Sequence, residues 1–327
     1  DDAHITFWSA QSLATHGEIL NYNFERVEQS SALLQVLLLA LLHSVSNISI
    51  VVLGHITTLL VAVGALYYTG KLVQRIFPTP PSAIFSTSTA SLLLATCPFF
   101  VYWTFSGPLL ALLMVLLLLV LDGWLQERKL LVMVCMISLA TQMTRPEMPV
   151  VLCVFALILF PAPALLKVSA WRWKSLALFL LIQILCAGLL IAWRGWYFGD
   201  IAPQPVSAKI GGAFFSSLLE GLQYAQQTLF DPRLLLFTAL TAISALWVLL
   251  RWREPLSVML ALLLFVDSAF VVASGGDWMA AGRFWVPVVP LMAVLVSVFL
   301  HRLCTSRILR NSLLCFIVVG NLLYLWL

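Results

Sequence analysis

Long, unbroken apolar runs leave this chain few ways to fold. Ile48–Tyr68, Leu176–Trp193 and Leu234–Leu250 hold no charged side chain, and Leu256–Ala273 holds a single one, Asp267. A helix that crosses the hydrocarbon of a bilayer needs about 20 such residues. A transmembrane barrel would instead read as alternating segments of about ten residues. These runs neither alternate nor stop at that length, so the elements are helices. Composition agrees: 62% of the 327 residues are apolar and 10% are charged. Soluble domains hold about 45–50% and about 25%. A water-soluble fold could not cover that much apolar surface.

Further runs follow the same pattern: Ser82–Thr96, Leu109–Leu121, Leu130–Met143, Pro149–Phe160, Val286–Leu300 and Leu313–Leu327. Together they predict an all-α, polytopic transmembrane bundle of about ten spans, forming one domain over residues 1–327. Leu33–Leu42 is too short to span and is placed in the interface or as a re-entrant piece. Residues 1–31 are polar and mixed, which excludes them from lipid. Within them, His16–Ser31 is dense in hydrogen-bonding groups and is expected to form helices lying along the membrane. The chain opens at Asp1 with neither Met nor an apolar lead, so a membrane helix is expected to precede it.

Charge sets the orientation. Of the 18 Lys and Arg, twelve fall in one set of alternate connections, including Lys71, Arg75, Arg128, Lys129, Arg251, Arg253, Arg302 and Arg310. Six fall in the other set: Arg26, Arg145, Arg194, Lys209, Arg233 and Arg283. The positive-inside rule makes the first set cytoplasmic and places residues 1–31 outside. The outer connections also hold most of the acids, among Gly, Pro and aromatic residues, which points to a polar site facing out. The six cysteines lie in or beside apolar runs with no Cys-x-x-Cys pair, and are read as small core or lipid-facing residues.

Four outer segments are candidates for chemistry. Asp1-Asp2-Ala3-His4-Ile5 offers adjacent carboxylates that act as a base, hold a cation or are simply solvated. Thr144-Arg145-Pro146-Glu147 either pairs its two charges or lines an outward cavity. Arg194 to Lys209 joins interfacial aromatics, a turn at Gly199-Asp200 and a lone Lys209 suited to an anion. Gly275-Gly276-Asp277, followed by Arg283-Phe284, combines a tightly turning backbone with an acid and a cation. The cations Arg145, Arg194, Lys209 and Arg283 on one face are what binding a phosphate at headgroup level needs. Asp267, inside a span, is either a polar contact between helices or a functional group. No ligand spacing calls for a metal, and no cofactor is expected.

In this order the segments resemble those of the GT-C glycosyltransferases. They are most similar to the membrane arabinofuranosyltransferases that build bacterial cell-wall arabinan. The resemblance rests on Asp1-Asp2-Ala3-x-Ile5, on Asn23 with Glu25-Arg26-Val27-Glu28, and on Thr144-Arg145-Pro146-Glu147. It also rests on Gly199-Asp200-x-x-Pro203 with Ala208-Lys209, and on Gly275-Gly276-Asp277 through Arg283-Phe284. Departures are Trp8 where the family often has Arg, Gln204-Pro205 where it has Asn-Thr, and Ser106-Gly107-Pro108-Leu109 where it has a carboxylate.

The resemblance implies a GT-C-type bundle with interfacial helices in its first outer loop, in a bacterial plasma membrane with the site facing out. It implies inverting transfer of a sugar from a polyprenyl-phosphate donor to a hydroxyl of a glycan, lipid or protein acceptor, with no nucleic-acid partner. Asp1 would be the base, with Asp2 next to it. Lys209, Arg283 and Arg194, in that order, would hold the phosphate. Arg145 and Glu147 would shape the acceptor side, and Asp200 and Asp277 would belong to the substrate site. A transporter or lipid flippase is the competing class, but it calls for repeats and ionisable groups at the midplane, where only Asp267 is expected. A non-catalytic scaffold is a third reading. An intramembrane protease is set aside, because His55 has no evident nucleophile to pair with.

Overall fold

A computed structural model describes residues 2–104, 108–127, 129–167, 172–207, 214–277, 279 and 281–326; for residues 2, 80–83, 127, 207 and 214 it describes the backbone only. Asp1, Lys209, Ser106 and Gly107 lie outside the described residues.

Among the described residues every regular element is a helix. The helices are α1 (Asp2–His16), α2 (Leu33–Ser46), α3 (Ile50–Ile76), α4 (Pro80–Thr96), α5 (Pro98–Tyr102), α6 (Pro108–Glu127), α7 (Leu131–Thr144) and α8 (Met148–Leu159). Then come α9 (Ala162–Leu166), α10 (Trp173–Phe198), α11 (Gln204–Ser207), α12 (Phe214–Leu229), α13 (Leu235–Trp247), α14 (Pro255–Ala273), α15 (Val289–Leu303) and α16 (Arg307–Trp326). A π-helical turn, Val248–Trp252, extends α13, and a 3-10 turn, Arg283–Val288, leads into α15. Seven of these stretches are long and apolar enough to cross a membrane; Ile84–Thr96, α7 and α8 are shorter apolar helices in the places of the remaining predicted spans.

Local chemistry explains several boundaries. Proline stands in the first turn of α4, α8, α14 and α15, where its missing N–H costs nothing. Glu254 caps α14 by accepting from the backbone N–H of Leu256 and Ser257. Asn47 and Gly199 close α2 and α10 in the left-handed region. Inside the bundle, Thr58, Thr69, Thr141 and Thr241 donate to carbonyls one turn back, which satisfies hydroxyls that have no water to turn to. Gln142, Gln183 and Ser138 hydrogen-bond between α7 and α10, fully buried.

At the centre is α15, nearly every residue of which is buried from Val289 to Leu300. It packs on α3, α4, α13 and α14. By contrast α3, α10 and α16 expose rows of large apolar side chains, such as Leu59, Leu60 and Val63 or Ile184, Leu185 and Leu189. Exposed apolar surface on that scale belongs in lipid.

Several predicted boundaries move, those of α3, α6, α10 and α16 among them. The structure carries α3 on to Ile76 and α10 on to Phe198, past Lys71, Arg75 and Arg194. Charges at a helix end need not stop the helix when they reach a partner, as Arg75 does at Asp122 (2.9 Å) and Arg194 does at Glu28. The first outer loop also differs from expectation. Its helix is α1, upstream, whereas residues 17–32 form an irregular, hydrogen-bonded loop. Asn21 organises that loop: its side-chain oxygen accepts from the N–H of Asn23 and Glu25, which turns the chain at Phe24 (φ 61°) and denies the segment a helix.

The two ends of the bundle differ. At one, hereafter the basic end, Arg75 meets Asp122, and Arg302 stacks on Phe77 and Trp252. At the other lie the Glu28–Arg194, Arg145–Glu147, Asp231–Arg233 and Asp277–Arg283 pairs.

Candidate functional site

At the end opposite the basic end, two clusters form from segments far apart in sequence. The first is built by α1, the loop behind it and the end of α10. Phe7 of α1 seats against α3 because Gly54 has no side chain: a Cβ there would lie 2.4 Å from the ring. Phe7, Ala10, Leu33, Val36, Leu39, Leu53 and Leu190 make one apolar core beneath the loop. Tyr197 of α10 accepts from the Ile19 N–H at 2.9 Å, and Arg26 stacks on its ring while pairing with Glu18. Asp2 is the first residue of α1, so the backbone of the paired-acid segment is anchored on this platform.

Glu28 and Arg194 bind this cluster together. Arg194 Nε donates to Glu28 Oε2 at 2.7 Å and Nη2 to Oε1 at 3.0 Å. Their side chains are 4% and 3% exposed. Burial pushes the Glu28 carboxyl above the usual carboxylate range, against the opposing pull of the Arg194 hydrogen bond and charge. Arg194, expected to hold phosphate, therefore has both its in-line donors on a buried carboxylate. Asp200 stands nearby on the surface and accepts from the Ala202 N–H in a turn.

The second cluster joins the Arg145 segment to the Asp277 loop. Arg145 pairs with Glu147, the first of the two readings of that motif, and its guanidinium lies 4.3 Å over the Phe284 ring. Next to Phe284, Arg283 forks onto Asp277, Nε to Oδ2 at 2.7 Å and Nη2 to Oδ1 at 3.1 Å. The Asp277 carboxylate is wholly buried, whereas 21% of the Arg283 side chain is exposed. A charge-assisted fork of this kind fixes the guanidinium plane.

Aromatic residues hold the loop in place. Trp103 donates to the carbonyl of Ala281, which sits at φ 59°. Trp285 donates to Thr228 and stacks on Tyr224. Tyr224 accepts from the Phe284 N–H at 3.3 Å. Gly276 (φ 69°) lies flat on Tyr224, where a Cβ would come within 2.5 Å of the ring. Burial raises the Tyr224 phenol, helped by Asp277 and opposed by Arg145 and Arg283, so it stays protonated at neutral pH. Asp267 of α14 is buried, its Oδ2 has no hydrogen-bond partner among the described residues, and the charges of Glu147 and Arg145 act on it.

Beside this cluster opens a cleft of about 240 Å³, lined by Glu220, Gln223, Tyr224, Gln227, Gly275 and Asp277. Reading for apolar runs passes over α12, which supplies most of that lining. Its signal was a different periodicity: Glu220, Gln223 and Gln227 fall on one flank, and Phe215, Leu219 and Leu222, all exposed, on the other. Such a helix suits an interface, with one flank in lipid and one facing the cleft.

The structure thus brings Arg145, Glu147, Asp277 and Arg283 together, and Arg194 and Asp200 into a neighbouring cluster. Between the two stands α7, whose Met143 packs on the core beneath α1 while Arg145 follows its last residue. Clustered donors, fixed guanidinium planes and a polar cleft at a bundle end can bind an anionic, hydroxyl-rich ligand.

No protein-family model matches the sequence, and no curated protein is similar to it. Solved structures are. ArnT from Cupriavidus metallidurans bound to undecaprenyl phosphate superposes with a TM-score of 0.64 at 13% identity, over 93% of this chain and 56% of that one. The same protein in the apo state gives a TM-score of 0.60 at 16% identity, over 96% and 57%. The chain spans little more than half the length of these structures. What it shares with them over nearly all of its own length is the fold, a polytopic bundle of apolar helices.

Proposed function

We propose that this chain is the membrane part of an inverting glycosyltransferase, moving a sugar from a polyprenyl-phosphate donor to an acceptor hydroxyl on the extracytoplasmic side. The observation that carries this is the Asp277–Arg283 fork. It holds a part-exposed cation at the bundle end, beside a polar cleft and Arg145. The fold is that of a protein solved with undecaprenyl phosphate bound, which supports a lipid phosphate as the ligand.

In this reading the donor phosphate meets Arg283 and Lys209 at headgroup level. The sugar enters the cleft, where Glu220, Gln223 and Gln227 present hydrogen-bonding groups to hydroxyls. Asp1 or Asp2 takes the acceptor proton as the acceptor oxygen bonds to the anomeric carbon. The bond from that carbon to the phosphate oxygen breaks, and polyprenyl phosphate leaves with the electron pair. A positioned base contributes about 10²–10⁴-fold, and the cations stabilise charge growing on the leaving phosphate. One displacement inverts the anomeric centre. Arg194 serves as a positioning residue that ties the Asp1–Asp2 segment to α10 through Glu28. Arg145 and Glu147 border the acceptor side, and Asp200 caps the turn leading towards Lys209.

The test is transfer in vesicles by the full-length protein. With Asp1→Asn and Asp2→Asn together, transfer of a labelled sugar from a polyprenyl-phosphate donor should fall by at least about 10²-fold. Transfer that survives both changes overturns the mechanism. Donor crossing the bilayer without transfer would point to a flippase instead.

A further inference from the structure

We infer that the basic end carries a second site, which takes the phosphate of an anionic phospholipid headgroup between Arg302 and Arg310. Both guanidinium groups are seated on aromatic faces. Arg302 lies 4.2 Å from the Trp252 ring centre and 5.0 Å from that of Phe77, and Arg310 lies 4.0 Å from that of Phe85. His301 sits between the seats, its ring 4.9 Å from Phe77 and 6.1 Å from Phe85. Phe77, His301 and Phe85 thus make a continuous floor from one arginine to the other.

An aromatic ring attracts a guanidinium without accepting its N–H bonds in a fork, so those donors remain for an anion. Among the described residues neither arginine has a carboxylate partner, and the two acids whose side chains are described at this end are engaged elsewhere. Asp122 holds Arg75 and Gln126; Glu254 caps α14 and holds Ser257. Arg310 Nε and His301 Nδ1 are buried with no hydrogen-bond partner. The Arg310 Nε–H is a donor left unmet, at a cost that a phosphate oxygen would remove.

The position favours a lipid over a soluble anion. Arg302 is in the last turn of α15 and Arg310 in the first turns of α16, so the seats lie where two spans meet the headgroups. Leu303, Ile308 and Leu309 beside them are exposed and apolar, as contact with acyl chains requires. Lys71 and Lys174 at this end lie over single tyrosine and tryptophan rings of their own helix turns, and Lys129 and Arg251 are exposed side chains with no aromatic ring beneath them among the described residues.

Native mass spectrometry of the full-length protein, released from nanodiscs of mixed phosphatidylglycerol and phosphatidylcholine, tests this directly. Arg302→Gln with Arg310→Gln should lower retained phosphatidylglycerol about tenfold. Lys129→Gln with Arg251→Gln removes the same charge from the same end and should change it less than about twofold. Equal losses from the two pairs would reduce the effect to diffuse attraction and overturn the site. Arg302→Lys with Arg310→Lys keeps the charge should the first pair fail to fold. It should still lose retention, because an ammonium has no fork; retention as in the unchanged protein overturns the site. Millimolar inorganic phosphate should leave retention intact. If it displaces the lipid, the ligand is a free anion and the lipid assignment falls.

Discussion

Arg194 and Glu28, 166 residues apart, share two hydrogen bonds in a setting almost closed to water. That fork fixes the first loop, and with it the start of α1, to the end of α10. A buried pair of this kind is weak evidence of stability in itself, but breaking one half strands a charge. Arg194→Met or Glu28→Leu alone should each cost about 3–5 kcal/mol. The double change, which leaves no stranded charge, should cost less than either. Melting of the four proteins in one detergent closes the cycle. Additive losses would mean that the two side chains act independently.

Arg283 offers a test that separates binding from folding. Arg283→Lys keeps the positive charge and loses the fork onto Asp277. If the exposed edge of that guanidinium holds the donor phosphate, the donor KM should rise about tenfold, since a hydrogen bond to a charged group contributes about 1.5–3 kcal/mol. The acceptor KM should stay near its original value. An unchanged donor KM with a raised acceptor KM would move Arg283 to the other substrate.

Gly276 tests the architecture of the cleft. At φ 69° and with Tyr224 in the way, alanine would meet both backbone strain and a ring 2.5 Å away. Gly276→Ala should destabilise the protein by about 2 kcal/mol and reduce transfer more than Gly188→Ala. Gly188 is on α10, where nothing lies within 4 Å of an added Cβ. Melting and transfer measured on both variants decide it; equal behaviour would show that the Asp277 loop does not depend on close contact with α12.

How far the sequence could be read follows from where each signal resides. The spans were legible because lipid forces most residues along a crossing helix to be apolar, so α10 and α14 announce themselves in local composition. The extra turns that carry Arg75 and Arg194 were not, because those charges are satisfied by Asp122 and Glu28, partners distant in sequence. The same limit applies to the cations. Arg145, Arg194 and Arg283 look alike as letters, yet one is locked to Glu28, one pairs two residues away and one forks onto Asp277. The resemblance drew attention to Asn23, whereas the structure buries Asn21 and gives it the loop. An Asx turn and its neighbour differ by a register of two, which composition does not distinguish. The amphipathic pattern of α12 was present in the sequence, hidden only by weighing apolar runs above helical periodicity.

Tyr224 links packing to pH. Its oxygen accepts from the Phe284 N–H, so Tyr224→Phe should cost about 1 kcal/mol at pH 8. The phenol is raised in the folded state, chiefly by burial and further by Asp277, above the value of about 10 that an unfolded tyrosine has. A raised folded value means that the folded state keeps the proton longer. The contribution is therefore complete below about pH 10 and is lost as pH climbs from there through the folded value. The gap between the protein and its Tyr224→Phe variant should accordingly shrink above about pH 10, while staying constant from pH 7 to 9. Denaturant titrations of both proteins across that range measure it. A gap that holds steady into strong alkali would show that the phenol is not shielded by the Asp277 loop, and that the loop opens away from α12.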